Sequence, residues 1–455
     1  MKIYDDKHLK NIALLGAPKS GKTLLAEDML FEAGIIHRRG TIEGKNTISD
    51  YQEIEQERGN SVFATPLHTE WKDYKINIID TPGLDDFAGE MIASLRVSDT
   101  CVMVINASHG VEVGTELIWN YAEEFNKPVL FAINQIDHPK ADFESSLQSL
   151  KAHYGPKVTQ MQYPINQGLD FSEIIDLLKM VLYRFPADGG KPEKLPIPAS
   201  EKEKADRLHN ELVERAAEND EQLMEKYFEK GTLDEDELRL GLKEGMIHHD
   251  VFPVFVMSAK KNMGAGRMMG FIDNVAPTPR EAKPEVTTDG KEISCDPTKP
   301  TVLFVFKSHL EPNLGKLSFF KVISGEVTTN SELTNSQTGS VERIHQLFIM
   351  DGKTRNSVDK LVAGDLGATL KLKDTYTNQT LHAKGFDVTI KPIEFPQPRI
   401  RVAVIAKSKN DNEKIGEVLG KIHQEDPTLN MEYSKELRQL ILSAQGELHL
   451  TVCKW

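Results

Sequence analysis

Short apolar runs alternate with longer amphipathic stretches through the first half of the chain. Four runs rich in β-branched residues have the length of buried strands, and stretches such as Gly114–Phe125 have helical periodicity between them. A parallel sheet covered by helices on both faces has this pattern. We therefore predict an α/β domain over residues 1–280, with strands at Ile12–Leu15, Ile76–Ile79, Cys101–Ile105 and Val129–Ile133.

The pattern changes between residues 150 and 250. Pro186–Pro198 has the composition of a linker. Glu201–Lys230 and Leu233–Met246 are charged and helix-like, and strand texture returns at Phe252–Met257. We expect a helical subdomain inserted before the last strand of the α/β domain.

Two further domains are expected after a linker at residues 281–300. Short alternating strands with turns over residues 301–392 are typical of a small β-barrel. Residues 393–455 predict a strand, a helix and two strands, which is part of a ferredoxin-like α+β unit. Because that unit needs more chain to finish, we expect the last domain to be truncated.

Composition narrows the class of protein. The 455 residues carry a formal net charge of −14 and three cysteines that are far apart. No apolar stretch reaches the roughly 18 residues of a membrane span. Such an acidic chain is not expected to coat nucleic acid through its overall charge, and isolated cysteines suggest neither disulfides nor a zinc site. We expect a cytoplasmic protein without a DNA or membrane partner.

Residues 16–23 carry the clearest chemistry. They match the phosphate-binding loop G-x-x-x-x-G-K-T between a predicted strand and a predicted helix: Gly16, Ala17, Pro18, Lys19, Ser20, Gly21, Lys22 and Thr23. In such a loop, backbone N–H groups surround phosphate oxygens, the lysine adds a cation and the threonine hydroxyl binds Mg²⁺. The loop predicts a nucleoside triphosphate site.

Three more loops follow predicted strands, and each by itself could be an ordinary turn. In the first, an aspartate can hold Mg²⁺ and a glycine N–H can contact a γ-phosphate. In the second, a carboxylate can accept two hydrogen bonds from guanine, and the third can donate N–H groups to the guanine oxygen. Loops at the carboxyl ends of parallel strands meet at one edge of the sheet, so the set predicts a GTP site. The loops are Asp80-Thr81-Pro82-Gly83, Asn134-Gln135-Ile136-Asp137 and Ser258-Ala259-Lys260.

In this order the loops resemble those of the translational GTPases, and the match is closest to elongation factor G. Further matching segments extend the resemblance over essentially the whole chain: Glu55–Gly59, Leu212–Phe228, Gly364–Ala368 and Gly446–Leu450. The fourth and fifth domains of that family have no counterpart here.

The resemblance implies a function and its cofactors. GTP or GDP would bind with Mg²⁺, and Thr23, Ser61 and Asp80 would lie at the metal. Two switch segments, 46–63 and 82–87, would respond to the triphosphate. The expected partner is the ribosome, through rRNA and ribosomal proteins, and we expect a monomer.

The chain departs from the family pattern at the catalytic positions. Leu84 stands where the family has the histidine that positions the attacking water, and Lys19 stands where it has an aspartate. Pro18 and Asn60 replace apolar gate residues, and Gln135 replaces a lysine that covers the base. Losing an oriented catalytic group costs roughly 10²–10⁴ in rate.

We therefore expect GTP binding with weakened hydrolysis and no clearly retained catalytic residue. The alternative is that Asp85, Asp86 or Lys19 orients the water instead. Related functions fit the same residues, namely a ribosome protection protein or a release-type factor, although the long insert favours the elongation factor. A GTP-binding regulator that does not hydrolyse GTP is the third possibility.

Overall fold

The structure, a computed structural model, describes residues 2–311, 315–406 and 411–454. Its first sheet has seven strands: β1 (Leu9–Leu15), β2 (Thr65–Trp71), β3 (Tyr74–Asp80), β4 (Thr100–Asn106), β5 (Val129–Asn134), β6 (Val158–Gln160) and β11 (Phe252–Val256). Their order is β2-β3-β1-β4-β5-β11-β6. The pairs are parallel except that edge strand β2 is antiparallel to β3, because a two-residue turn joins these strands.

Helices cover this sheet, as the alternating pattern predicts. They are α1 (Lys22–Glu32), α2 (Glu53–Arg58), α3 (Ala88–Val97), α4 (Val113–Glu124), α5 (Phe143–Tyr154) and α9 (Ala265–Asn274). Every residue of β1, β4 and β5 is buried, since apolar side chains meet helices on both faces. A site can therefore be formed by the loops that follow the carboxyl ends of β1, β3, β5 and β11.

The insert is not only helical, which corrects the prediction. It has the helices α6 (Ala199–Ala217), α7 (Glu221–Lys230) and α8 (Glu235–Ile247), together with the strands β7 (Gln162–Pro164), β8 (Glu173–Asp176), β9 (Val181–Arg184) and β10 (Glu193–Leu195). The strands form an antiparallel sheet in the order β10-β9-β8-β7. Strand β10 lies inside the predicted linker, where pairing with β9 outweighs the Pro/Gly-rich composition.

The second domain is a curled antiparallel sheet in the order β18-β17-β23-β14-β15-β22-β19-β20. Two short ladders, β12–β13 and β16–β21, flank it. The strands are β12 (Glu285–Val286), β13 (Glu292–Ile293), β14 (Val302–Glu311), β15 (Gly315–Ser324), β16 (Glu326–Thr328), β17 (Glu332–Asn335), β18 (Val341–Arg343), β19 (Leu347–Asp351), β20 (Thr354–Val358), β21 (Lys360–Val362), β22 (Leu366–Leu370) and β23 (Gln379–His382). Leu303, Val305, Phe320 and Val322 pack inside it.

The third domain follows the predicted order of strand, helix, strand and strand, and ends in a further helix. Its elements are β24 (Ile400–Val404), α10 (Asp411–Glu425), β25 (Asn430–Ser434), β26 (Gln439–Ala444) and α11 (Glu447–Lys454). The sheet order is β24-β26-β25, with Leu442 and Leu450 in the apolar core. The predicted fold class is confirmed.

Buried ion pairs join the first domain to the second. Lys75 on β3 pairs with Asp365 at 2.7 Å, and Lys321 on β15 pairs with Asp99 at 2.7 Å. All four side chains are almost fully buried, so these two pairs lie at the domain contact without access to water, beside apolar side chains that both domains contribute. Within the described ranges, no helix is long and apolar enough to cross a membrane.

Candidate nucleotide site

The phosphate loop, residues 16–23, joins the end of β1 to the start of α1. Its turns need positive backbone φ angles at Lys19 (62°) and Gly21 (99°). A Cβ at position 21 would overlap with Asn134 Nδ2, so only glycine fits there. Such a loop directs backbone N–H groups and the N-terminus of α1 towards one place, which suits the phosphates of a nucleotide.

Lys22 is buried in the first turn of α1. Its Nζ donates to the carbonyl oxygens of Gly16 (2.8 Å) and Ala17 (3.1 Å). Burial lowers the pKa of Lys22 to about 8, and the nearby Asp80 and Asp50 carboxylates oppose this shift. A buried ammonium of this kind gains strongly from an anionic ligand.

Hydroxyl and carboxyl oxygens cluster beside this lysine. The hydroxyls of Thr23 and Ser61 are 3.2 Å apart. Both carboxylate oxygens of Asp80 are buried and have no hydrogen-bond partner among the described residues. Burial raises the pKa of Asp80 to about 7, and the charge of Asp50 adds to the rise. These oxygens fit a hard cation such as Mg²⁺, which Thr23, Ser61 and Asp80 would hold.

Asp50 belongs to the same cluster, although no motif predicts it. Its Oδ1 is buried without a partner in the described part of the chain, and the residue lines one cleft with Lys22 and Ser61. Burial raises the pKa of Asp50. A single aspartate in a polar stretch has no spacing signal, so only the folded path of its segment brings it here.

The segment after β3 approaches the phosphate loop closely. Thr81 Oγ1 donates to a carbonyl of β1 (2.6 Å). A Cβ at Gly83 would lie 2.6 Å from Lys22 Nζ and 2.8 Å from Pro18 N, so the backbone can pass only as glycine. Leu84 comes next and lines the phosphate side of the cleft. An apolar side chain therefore lines this side of the cleft.

The base side is built by the loops after β5 and β11. Asn134 Nδ2 donates to the Ser20 carbonyl (2.8 Å), and its Oδ1 accepts from Ala259 N (2.9 Å). This side chain therefore joins the phosphate loop to the loop after β11. Asp137 Oδ1 accepts from Ser258 Oγ (2.6 Å), which orients the carboxylate. Such a carboxylate can accept from two N–H groups of guanine, and adenine has no matching donors.

Gln135 makes a contact that its loop motif does not predict. Its Nε2 donates to the Lys19 carbonyl (2.7 Å), so the glutamine ties the base loop to the phosphate loop. Lys260 and Asp137 line the base side, which has a volume of about 850 Å³. The phosphate side has about 290 Å³ and shares Gly21 and Gln135 with it. The base side by itself is within the size range of small-molecule sites.

Two buried glutamates hold the segment between α1 and β2 around the cleft. Glu27 accepts from the backbone N–H groups of Gly40 (2.6 Å) and Ile48 (2.5 Å). Glu55 accepts from the N–H groups of residues 62–63, both at 3.0 Å. Burial raises the pKa of both carboxyls, that of Glu55 to about 8. Neither role follows from a motif, because the partners are backbone groups of a loop.

Groups at or next to segments 46–63 and 82–87, which lie beside the phosphate loop, also contact the later domains. Glu90 Oε2 on α3 accepts from Ala64 N (2.7 Å) and from Lys307 Nζ of β14 (2.5 Å). Asp86 Oδ2 accepts from the N–H groups of residues 448–449 at the start of α11, at 2.9 and 3.2 Å. A shift of either segment would therefore change contacts with the second and third domains.

Comparison with protein families gives a matching division of the chain. Residues 7–278 match the model of the elongation factor Tu GTP binding domain. The chain belongs to this family of translational GTPases. In this translational GTPase, residues 300–384 match elongation factor G domain 2, and residues 395–455 match elongation factor G, domain III. It thus carries a GTP-binding domain of the elongation factor Tu type, followed by two domains of the elongation factor G type.

A solved crystal structure of a protein from Thermus thermophilus is similar to this GTPase. The TM-score is 0.87 at 26% sequence identity. The match covers 98% of this chain and 65% of the solved one, so this chain spans a little under two thirds of that protein's length.

Proposed function

We propose that this protein is a factor of the elongation factor G type, which binds GTP with Mg²⁺ and acts on the ribosome in the cytoplasm. Residues 46–63 and 82–87 are its switch segments. Support comes from their position between the nucleotide cleft and the later domains, where Glu90 and Asp86 make the contacts described above. A change in how the segments contact the terminal phosphate would therefore change how those domains sit.

GTP hydrolysis is weakened in this proposal, and Leu84 is the observation that carries it. The side chain lines the phosphate side of the cleft directly after Gly83. Leucine can neither accept a proton nor hydrogen-bond a water molecule. The chain's own residues still bind and orient the nucleotide through the phosphate loop, Asn134 and Asp137. Binding of GTP, more than its cleavage, then drives the factor.

The two acidic residues after Leu84 are poor replacements for a catalytic group. Asp85 forms an ion pair with Arg399 of the third domain. Asp86 accepts the backbone N–H groups of α11. Both carboxylates are engaged away from the cleft. Of the three polar residues that could orient the water, this leaves Lys19, which lines the phosphate side of the cleft.

Single-turnover hydrolysis of labelled GTP with ribosomes tests this proposal, after GTP binding has been measured. We expect tight binding with little ribosome stimulation in the native protein. Leu84→His should raise the stimulated rate by roughly 10²-fold or more, the usual contribution of a positioned general base. Leu240→His, at an exposed leucine of α8, is the control and should change nothing.

Each outcome decides one part of the proposal. Strong stimulation in the native protein would refute weakened hydrolysis, and Lys19→Ala would then show whether Lys19 orients the water. No gain from Leu84→His would refute Leu84 as the limiting position. Failure to co-sediment with ribosomes in the GTP-bound state would refute the ribosomal role and favour a regulator that only binds GTP.

A further inference from the structure

A second cavity of about 420 Å³ lies where the insert meets the first sheet. It shares no lining residue with the two sides of the nucleotide cleft. Its floor is apolar, formed by Met161, Phe255 and Phe271. Its walls come from the turn between β2 and β3, the strands β8 to β10, and the helices α8 and α9.

Positive charge dominates the walls of this cavity, in a chain whose net charge is −14. Two acidic residues, Asp176 and Glu235, also line it. The basic residues are Lys72, Lys179, Lys194, Arg239 and Arg267. Lys179, Arg239 and Arg267 are only 24–28% exposed, and burying such cations is costly unless anions balance them.

Asp176 balances only part of this charge. Its Oδ1 accepts the backbone N–H groups of Leu178 (3.1 Å) and Lys179 (2.9 Å) in the turn between β8 and β9. Arg267 Nη2 is 3.7 Å from Asp176 Oδ2, which is beyond hydrogen-bond distance. The Asp176 carboxylate therefore binds the backbone of its own turn more closely than it binds Arg267.

Glu235 pairs with both Lys179 and Arg239, and Arg239 also pairs with Asp236 at 3.2 Å. Lys72 has a partner outside the cavity wall, Asp273, at 2.7 Å. Lys194 has no acidic partner within 4 Å among the described residues. Lys194 and Arg267 are therefore the cations of this cavity whose charge is least balanced.

Two guanidinium groups also have unused donors. The Nε atoms of Arg239 and Arg267 are buried and have no hydrogen-bond partner in the described part of the chain. The guanidinium of Arg267 lies over the ring of Tyr183, 4.4 Å from its centre, which holds it at the cavity. Burial lowers the pKa of Lys179, and the charge of Arg239 lowers it further.

We propose that this cavity binds a small phosphorylated molecule. Phosphate suits this site, because its oxygens accept charge-assisted hydrogen bonds from arginine and lysine at the same time. Arg239 and Arg267 hold the phosphate, Lys194 and Lys179 neutralise it, and the apolar floor contacts the rest of the molecule. A volume near 420 Å³ is within the range of small-molecule sites and is too small for a folded partner.

Equilibrium dialysis of labelled inorganic pyrophosphate against the full GDP-loaded chain tests the proposal, since GDP keeps the probe from the phosphate loop. We expect saturable binding at one site. Arg239→Gln and Arg267→Gln should each weaken it by about tenfold, the loss of one charge-assisted contact. Arg207→Gln, which removes an exposed arginine paired with Glu211 on α6, is the matched control and should bind as the native protein does.

Absence of saturable binding would overturn the proposal. So would equal binding by Arg239→Gln, Arg267→Gln and Arg207→Gln, because the probe would then lie elsewhere. If either arginine variant loses GDP binding or its native melting temperature, Lys194→Gln decides the matter. Lys194 is exposed and packs in no core, so this variant should fold and bind the probe more weakly, and unchanged binding would refute the site.

Discussion

Replacing either member of the Lys75–Asp365 pair should destabilise the protein by unequal amounts. The two side chains are 1% and 5% exposed, and Nζ lies 2.7 Å from Oδ1. Asp365 Oδ1 also accepts from Asn77 Nδ2 (3.0 Å) and from Leu366 N (2.9 Å). Lys75 Nζ has Asp365 as its hydrogen-bond partner in the described structure. The aspartate therefore keeps hydrogen-bond donors when the lysine is lost, whereas the lysine keeps no counter-charge when the aspartate is neutralised.

The expected magnitudes follow from this asymmetry. Asp365→Asn leaves a buried ammonium without a counter-charge, which costs roughly 3–5 kcal/mol. Lys75→Met replaces the ammonium with an apolar side chain of similar length and removes one charged hydrogen bond, about 1.5–3 kcal/mol. The exposed pair Lys202–Asp206 on α6 is the matched control, and Lys202→Met and Asp206→Asn should each change stability by less than about 1 kcal/mol.

Urea unfolding of the GDP-loaded variants, followed by the fluorescence of Trp71 and Trp119, measures these differences. The native protein should be the most stable, followed by Lys75→Met, and Asp365→Asn should be the least stable. A cost of Asp365→Asn no larger than that of Asp206→Asn would refute the claim that this interface depends on a buried charge. A larger cost for Lys75→Met than for Asp365→Asn would refute the asymmetry.

Two further predictions concern the switch segments. Asp86→Ala should speed hydrogen exchange of the amides of residues 448–449 by about fivefold, because losing a helix cap costs about 1 kcal/mol; unchanged exchange would contradict this capping role. The pKa of Glu55 is about 8 in the fold against an ordinary 4.5, so the folded state holds a proton that the unfolded chain releases between these values. The free energy of unfolding should therefore fall as pH rises from 5 to 8, and Glu55→Gln should remove this slope, whereas Glu57→Gln at an exposed position should keep it.

The family, the fold class and the order of the nucleotide loops could be predicted from the sequence. Each loop is a contiguous run with its own local chemistry, and each follows an apolar strand, so chain order alone brings the loops to one edge of the sheet. Asn134, Asp137 and Ser258 lie where this reasoning expects them, within hydrogen-bond reach of other loop residues.

The sequence could not predict which residues contact each other over long distances along the chain. Asp50 reaches the cluster of oxygen atoms beside Lys22, Glu27 and Glu55 hold a loop, and Asp86 contacts a helix more than 300 residues away. A carboxylate in a polar stretch looks like a solvated side chain until the fold buries it beside its partner. The strands of the insert were missed for a related reason, because their pairing depends on neighbours and not on their own composition.

The sequence by itself determined which loops form the nucleotide cleft, and it predicts altered chemistry at Leu84 and Lys19. The tertiary structure alone decided which remaining side chains are free to act. It engages Asp85 and Asp86 with the third domain, buries the pairs that join the first two domains, and gathers five cations from distant elements around one cavity. The physical reason is that motifs act through backbone groups adjacent in the chain, whereas burial and charge balance depend on what the fold brings together.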